Sequence, residues 1–214
     1  MITRRCGRRI AGTAAALGLS LLTACSSIEG TPVTAPSSRA DGAAACASVD
    51  DPLVALNAQP GEPTVELPTP AGWERHTAMD SEIIRLGLVN TGFTRDRFTP
   101  NVVATAETST GDPQAAFELQ LTGLRRVYGD SVPATGTPGT VCGYPSWTLD
   151  YTLPAQGSIP ARPAILQVIV VPRDDSASTT YTMTAQATAP ADPQYEADVR
   201  AMFEGVQISG AQGA

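Results

Sequence analysis

Between Ala164 and Val171 the chain reads AILQVIVV, seven apolar residues in eight. A run this short, rich in Val and Ile and without alternation, predicts a central strand buried on both faces. The fold therefore needs a sheet with cover on each side. The partner strand follows at once. After the turn Arg173-Asp174-Asp175-Ser176, the stretch Thr180 to Thr188 (TYTMTAQAT) alternates polar and apolar as an antiparallel neighbour should.

The cover is legible as two helices with the same opening signature. Asp112-Pro113 and Asp192-Pro193 each place a capping carboxylate before a proline at the first helical position, where a missing N–H costs nothing. Phe117, Leu121, Leu124 and Tyr128 then recur at helical spacing, and Gly129 is placed to end the helix. Tyr195, Val199, Met202, Phe203 and Val206 form the apolar stripe of the second, with a loose end from Gly210. Glu82 to Asn90 and Asn101 to Thr108 read as strands, and Thr140 to Thr152 as extended structure after the turn Gly136 to Gly139. Val49 to Leu56, with Asp51-Pro52, suits one or two helical turns. These elements predict an α+β fold: an antiparallel sheet with helices packed on it.

The front of the chain is of a different kind. Arg4, Arg5, Arg8 and Arg9 precede an Ala/Leu-rich run from Ile10 to Leu22, 13 residues, too short for the roughly 20 that cross a bilayer. Leu22-Thr23-Ala24-Cys25 then fits a bacterial lipobox, so residues 1–24 are expected to be a signal peptide and Cys25 to carry a diacylglyceryl group. That address is the extracytoplasmic face of the plasma membrane. Residues 25–45, rich in Ser, Thr, Ala, Pro and Gly, predict a flexible tether suited to O-glycans, and residues 46–210 the folded domain.

Charge narrows the partners. All 14 basic residues are arginines, four of them in the signal, while all 21 acidic residues follow it. The processed chain carries ten arginines against those 21 acids, near −11. Such a chain lacks the Lys/Arg footprint that nucleic acid requires, and its attachment to an anionic membrane must come from acyl chains. With Cys6 removed and Cys25 lipidated, Cys46 and Cys142 are the two remaining thiols. In an oxidising compartment a disulfide between them is expected, against the alternative of two unpaired buried cysteines.

One segment is distinctive as a pattern. Pro60-Gly61-Glu62-Pro63-Thr64-Val65-Glu66-Leu67-Pro68-Thr69-Pro70-Ala71-Gly72-Trp73 brackets a four-residue strand, Thr64 to Leu67, with prolines that suit a sheet edge, then turns to deliver Trp73 to the core. Following a lipobox and a Ser/Thr/Pro-rich tether, this pattern resembles the mycobacterial LpqN/LpqT family of envelope lipoproteins, over roughly Gln59 to Ile208. The resemblance implies a PsbP/Mog1-like α/β/α sandwich and a cell-envelope role, glycolipid handling being one form of it. Cys46 and Cys142 stand apart from the family pattern.

Catalytic chemistry finds little support. The single histidine, His76, lies in a turn, and no Gly-x-Ser-x-Gly elbow surrounds any serine. No close Cys/His/acid set suits zinc, Asp174-Asp175-Ser176 reads as a solvated hairpin turn rather than a calcium loop, and no phosphate-binding glycine motif is present. A non-enzyme without cofactor or metal is expected. Two roles remain. One is a binding module for an acyl chain or glycolipid, with Phe93, Phe98, Tyr144 and Trp147 lining a cleft between sheet and helix. The other is a scaffold that presents a rigid face to an envelope protein, with those aromatics as core. A hydrolase built on His76 is a weaker third.

Overall fold

The computed structural model describes residues 46–110, 112–173 and 177–210. Cys25, the tether and the turn Asp174-Asp175-Ser176 lie outside the described residues. In chain order the elements are β1 (Leu53–Ala55), β2 (Thr64–Pro68), β3 (Glu74–Arg75), β4 (Ile84–Val89), β5 (Asn101–Thr110), α1 (Pro113–Tyr128), β6 (Thr137–Val141), β7 (Tyr144–Leu153), β8 (Arg162–Pro172), β9 (Ala177–Gln186), α2 (Pro193–Glu204) and β10 (Gln207–Ser209).

Seven strands form one antiparallel sheet in the order β3-β4-β5-β9-β8-β7-β6. The apolar run lies in β8, hydrogen-bonded to β7 and β9 on either side, with Val168, Ile169, Val170 and Val171 all at 1% exposure or less. β9 is its expected neighbour. Both helices begin as the cap signature predicts. The Asp112 carboxylate accepts from the Ala115 N–H at 2.8 Å, and that of Asp192 from the Gln194 N–H at 3.0 Å. Gly129 ends α1 at φ 62°, a left-handed position that suits glycine. The fold is α+β, as the pattern of elements requires.

Three local expectations are corrected. Residues 53–55 form strand β1 rather than helical turns, because Leu53, Val54 and Ala55 pair with Pro68, Leu67 and Glu66 of β2. The Asp-Pro signature can start a helix, but here the Pro52 carbonyl accepts from the Thr69 N–H at 2.7 Å and the chain continues extended. Next, β2 is not at an edge: it is the middle strand of a second sheet, β1-β2-β10, with Ile208 opposite Val65. Pro63 precedes β2 and Pro68 is its last residue, so neither removes a donor from the middle of the ladder. Finally, the extended stretch from Thr140 to Thr152 is interrupted. Cys142 and Gly143 take positive φ, 50° and 80°, and make the two-residue turn that folds β6 onto β7.

The large sheet is covered on both faces by different layers. On one face Leu86, Leu88, Val102, Ala104, Ile169 and Met183 pack against α2 and the small sheet, through Val65, Leu67, Tyr195, Val199, Met202 and Phe203. On the other face Leu149, Leu166, Val168 and Val170 pack beneath α1, where the Phe117 ring stacks on Trp147 at 4.9 Å. Cover by α1 is thin. Ala116 and Phe117 are its buried residues, whereas Leu119 and Val127 point outward at 68% and 70% exposure.

A polar bolt fixes α2. Asp198 is 3% exposed, and its two carboxyl oxygens accept from Trp73 Nε1 at 2.8 Å and from Gln194 Nε2 at 2.7 Å. Gly205 follows α2 where a Cβ would lie 2.6 Å from the Ala201 carbonyl and from Pro68, so the close approach of the helix end to β2 demands glycine. Asp198→Ala strands the buried indole N–H. Its expected cost is about 2–3 kcal/mol, measured by urea unfolding, with Asp198→Asn losing less because one acceptor remains.

Candidate functional site

A groove of 540 Å³ opens on the face of the large sheet that carries α2. It arises because the helix does not extend across β7. On that face β7 presents Thr148, half-buried, and Asp150, exposed, while on β8 Ile165 stays half-buried. The floor is Ile165, Gln167 and Ala185. The wall is the flank of α2, Tyr195, Val199 and Phe203, with Arg200, Glu196 and Glu204 toward solvent. The lining is thus apolar below and charged above.

Gln167 is the one polar side chain of the buried run AILQVIVV. It is 7% exposed, and its Oε1 is buried without a hydrogen-bond partner. An unpaired amide oxygen in such a floor costs about 1–3 kcal/mol, which a ligand hydroxyl or N–H would recover. Tyr195 completes the wall within an aromatic cluster, 6.2 Å from Trp73 and 6.0 Å from Phe93 between ring centroids.

The structure does not bring Phe93, Phe98, Tyr144 and Trp147 together. Phe93 and Tyr144 pack on the α2 side of the sheet. Trp147 lies on the α1 side against Phe117, and Phe98 is on that side too, with its ring 4.4 Å from the Arg162 guanidinium carbon. Residues 144 and 147 of one strand are separated by an odd number, and side chains alternate between faces, so they cannot share a pocket. None of the four lines the groove. Of the residues that do, Tyr195, Val199 and Phe203 read in sequence as an ordinary core stripe. The available signal was Gln167, a polar interruption in a run otherwise buried on both faces.

The cysteine expectation is met: Cys46 and Cys142 form a disulfide, S–S 2.00 Å, across a sequence separation of 96. The pair docks over β10, where Cys46 packs against Ile208 and Cys142 Sγ lies 3.1 Å from the Val206 carbonyl oxygen. His76 is exposed, and its backbone N–H donates to the Gly87 carbonyl at 2.8 Å. Among the described residues no group of three or more His, Cys, Asp or Glu side chains could hold a metal ion, and no helix is long and apolar enough to cross a membrane.

Three buried phenols tie the fold to alkaline pH. Burial pushes Tyr151 up to about 12, with Tyr128 adding to the shift and Arg162 opposing it. Burial also raises Tyr181 to about 12, with Glu62 adding, while its hydroxyl donates to the Pro63 carbonyl at 3.3 Å. Tyr195 is driven further above the phenol range by burial alone. A raised folded value means that the unfolded chain ionises first, near pH 10. Stability is therefore complete below pH 10 and falls as pH rises from there toward 12. Absorbance at 295 nm is expected to show tyrosine ionisation rising together with loss of near-ultraviolet circular dichroism over that interval. Ionisation complete before any loss of structure would contradict it.

Comparison with known proteins places this architecture. The model of the family described as probable lipoprotein LpqN matches residues 53–209. The crystal structure of LpqN, a protein involved in cell envelope biogenesis of Mycobacterium tuberculosis, has the same fold: TM-score 0.58 at 22% identity, over 74% of this chain and 91% of that one. No curated protein sequence matches. With a family match that begins at β1 and ends at β10, the chain belongs to the LpqN lipoprotein family.

Proposed function

We propose that the chain is an envelope lipoprotein, held to the extracytoplasmic face of the plasma membrane by a diacylglyceryl group on Cys25, whose domain binds an acyl chain or glycolipid without chemically altering it. The observation that carries this reading is the groove between β7–β8 and α2. Its 540 Å³ falls within the roughly 300–1,000 Å³ of small-molecule sites, and it pairs an apolar floor with one buried, unpartnered polar atom. Each methylene desolvated there contributes about 0.8 kcal/mol, so an acyl chain gains affinity along its length. The involvement of M. tuberculosis LpqN in cell envelope biogenesis agrees with such a cargo. His76 does not line the groove, which favours binding over histidine-based hydrolysis there.

A scaffold role is favoured by a different feature, the outward-facing Leu119 and Val127 of α1. Native mass spectrometry of the unlipidated chain, purified from its own envelope without detergent, separates the two. Bound species of lipid or glycolipid mass, lost on denaturation, are the expected result. A chain that is empty and takes up no acyl probe would overturn the carrier reading. For the anchor, Cys25→Ala is expected to move the protein from the membrane to the soluble fraction. Retention in the membrane would count against lipidation.

A further inference from the structure

Neither the core nor the groove uses the outward face of α1. Leu119 and Val127 are the two most exposed large apolar side chains among the described residues. Residues four apart on a helix are neighbours, so Ala115, Leu119, Gly123 and Val127 lie along one stripe, with Thr122 and Arg126 beside it. All six are exposed. The opposite flank, Phe117, Leu121, Leu124 and Tyr128, is the one that packs on the sheet.

Gly123 stands in the middle of that stripe. Glycine is the poorest helix former after proline, and within a helix it calls for a reason. The chain itself supplies none: a Cβ on Gly123 would meet no atom within 4 Å. A second helix crossing at this point would supply one, because a residue without a side chain lets two helices approach closely.

The charges along α1 identify the partner. Glu118 precedes the middle of the helix, and Arg125 and Arg126 follow it. Glu118 accepts from Gln114 Nε2 of its own helix at 2.9 Å, and among the described residues none of the three forms an ion pair. Position 122 is midway between Glu118 and Arg126, and position 123 midway between Leu119 and Val127. An antiparallel copy of α1, paired about a twofold axis at Thr122-Gly123, therefore sets Glu118 of each helix toward Arg126 of the other. It also sets Leu119 toward Val127 and glycine on glycine, and it opposes the two helix dipoles. A parallel copy would instead place like charges side by side.

We propose that α1 is a self-association surface, at which two copies of this chain pair antiparallel through Leu119, Gly123 and Val127. An isologous contact of this kind uses the same patch on both copies, so assembly stops at the dimer. Because α1 and the groove are on opposite faces of the sheet, both grooves stay open in the dimer, and pairing is independent of what they bind. The helix has 16 residues and a length of about 24 Å, so the contact is smaller than the roughly 800 Å² per partner of a standard interface. The expected dissociation constant is accordingly weak, about 10–100 μM.

Sedimentation equilibrium of the unlipidated chain should show a monomer–dimer equilibrium. Gly123→Gln should leave the thermal midpoint of the dilute monomer unchanged or higher, since glutamine is the better helix former and its side chain meets open space, yet weaken the dimer about tenfold or more. Arg126→Glu should weaken it about fivefold, and Glu118→Arg combined with Arg126→Glu should restore it. In its own membrane, the full chain carrying Thr122→Cys should cross-link to a second copy on mild oxidation. Ala115→Cys should not, because the antiparallel pair holds those two positions about 20 Å apart. The proposal is overturned by a wild-type chain that stays monomeric at about 1 mM, by a Gly123→Gln variant that dimerises as the wild type does, or by equal cross-linking at both positions. Capture of another protein by Thr122→Cys in place of its own copy would overturn it too.

Discussion

Cys46→Ser lowers the midpoint of thermal unfolding by about 10 °C, the largest stability change expected from any single surface-accessible substitution in this chain. The reason lies in the unfolded state. The disulfide closes 96 residues, and restricting a loop of that size removes chain entropy worth about 4–5 kcal/mol, an upper value because cross-linked native states seldom retain all of it. For a domain of this size each kcal/mol moves the midpoint by about 2–4 °C. The folded state loses little, since Cys46 is only half-buried. Cys142 is the poorer site for the experiment. It stands at φ 50° in the β6–β7 turn, so replacing it mixes the loss of the bond with a change in a left-handed position. Reduction of the wild type supplies the control: dithiothreitol should reproduce the drop and should leave Cys46→Ser unmoved. An unchanged midpoint on reduction would remove the disulfide as a stabilising element.

Ile165→Glu abolishes acyl binding while the protein stays folded. Ile165 is half-buried because the groove above it is open, so in the empty protein the new carboxylate reaches water and the expected loss of stability is about 1 kcal/mol or less. A bound acyl chain would seal that carboxylate into an apolar floor, at a cost of several kcal/mol, and about 2.7 kcal/mol already corresponds to a hundredfold weaker dissociation constant. Displacement of a fluorescent acyl probe measures it. Phe98→Ala and Trp147→Ala provide the contrast, since both residues lie beneath the other face of the sheet. They should lower stability by about 3–5 kcal/mol and leave probe affinity within a few-fold of wild type in the folded fraction. If Ile165→Glu binds the probe normally while Trp147→Ala does not, the binding site is on the α1 face and the groove assignment fails.

What the sequence by itself determined was everything set by neighbours along the chain. Asp112-Pro113 and Asp192-Pro193 start their helices because a capping oxygen and a fixed φ act within one turn. The strand pair β8–β9 was legible because an apolar run and an alternating run adjoin across a short turn. The tertiary structure decided what depends on partners far away in sequence. Three-residue strands such as β1 and β10 have too few residues to show a period, and they exist because β2 offers both its edges to segments that meet it from either end of the domain. Cys142-Gly143 turns because β6 and β7 pair, which no residue within that run announces. The aromatic set Phe93, Phe98, Tyr144 and Trp147 divided between two faces because strand parity, invisible until register is known, sends residues 144 and 147 in opposite directions. The same parity joins Gln167 to the flank of α2 and puts Arg162 beneath Phe98 on the other face. Sequence sets the local conformations; which side chains share a site is set by register, and register is a property of pairs of strands rather than of any one of them.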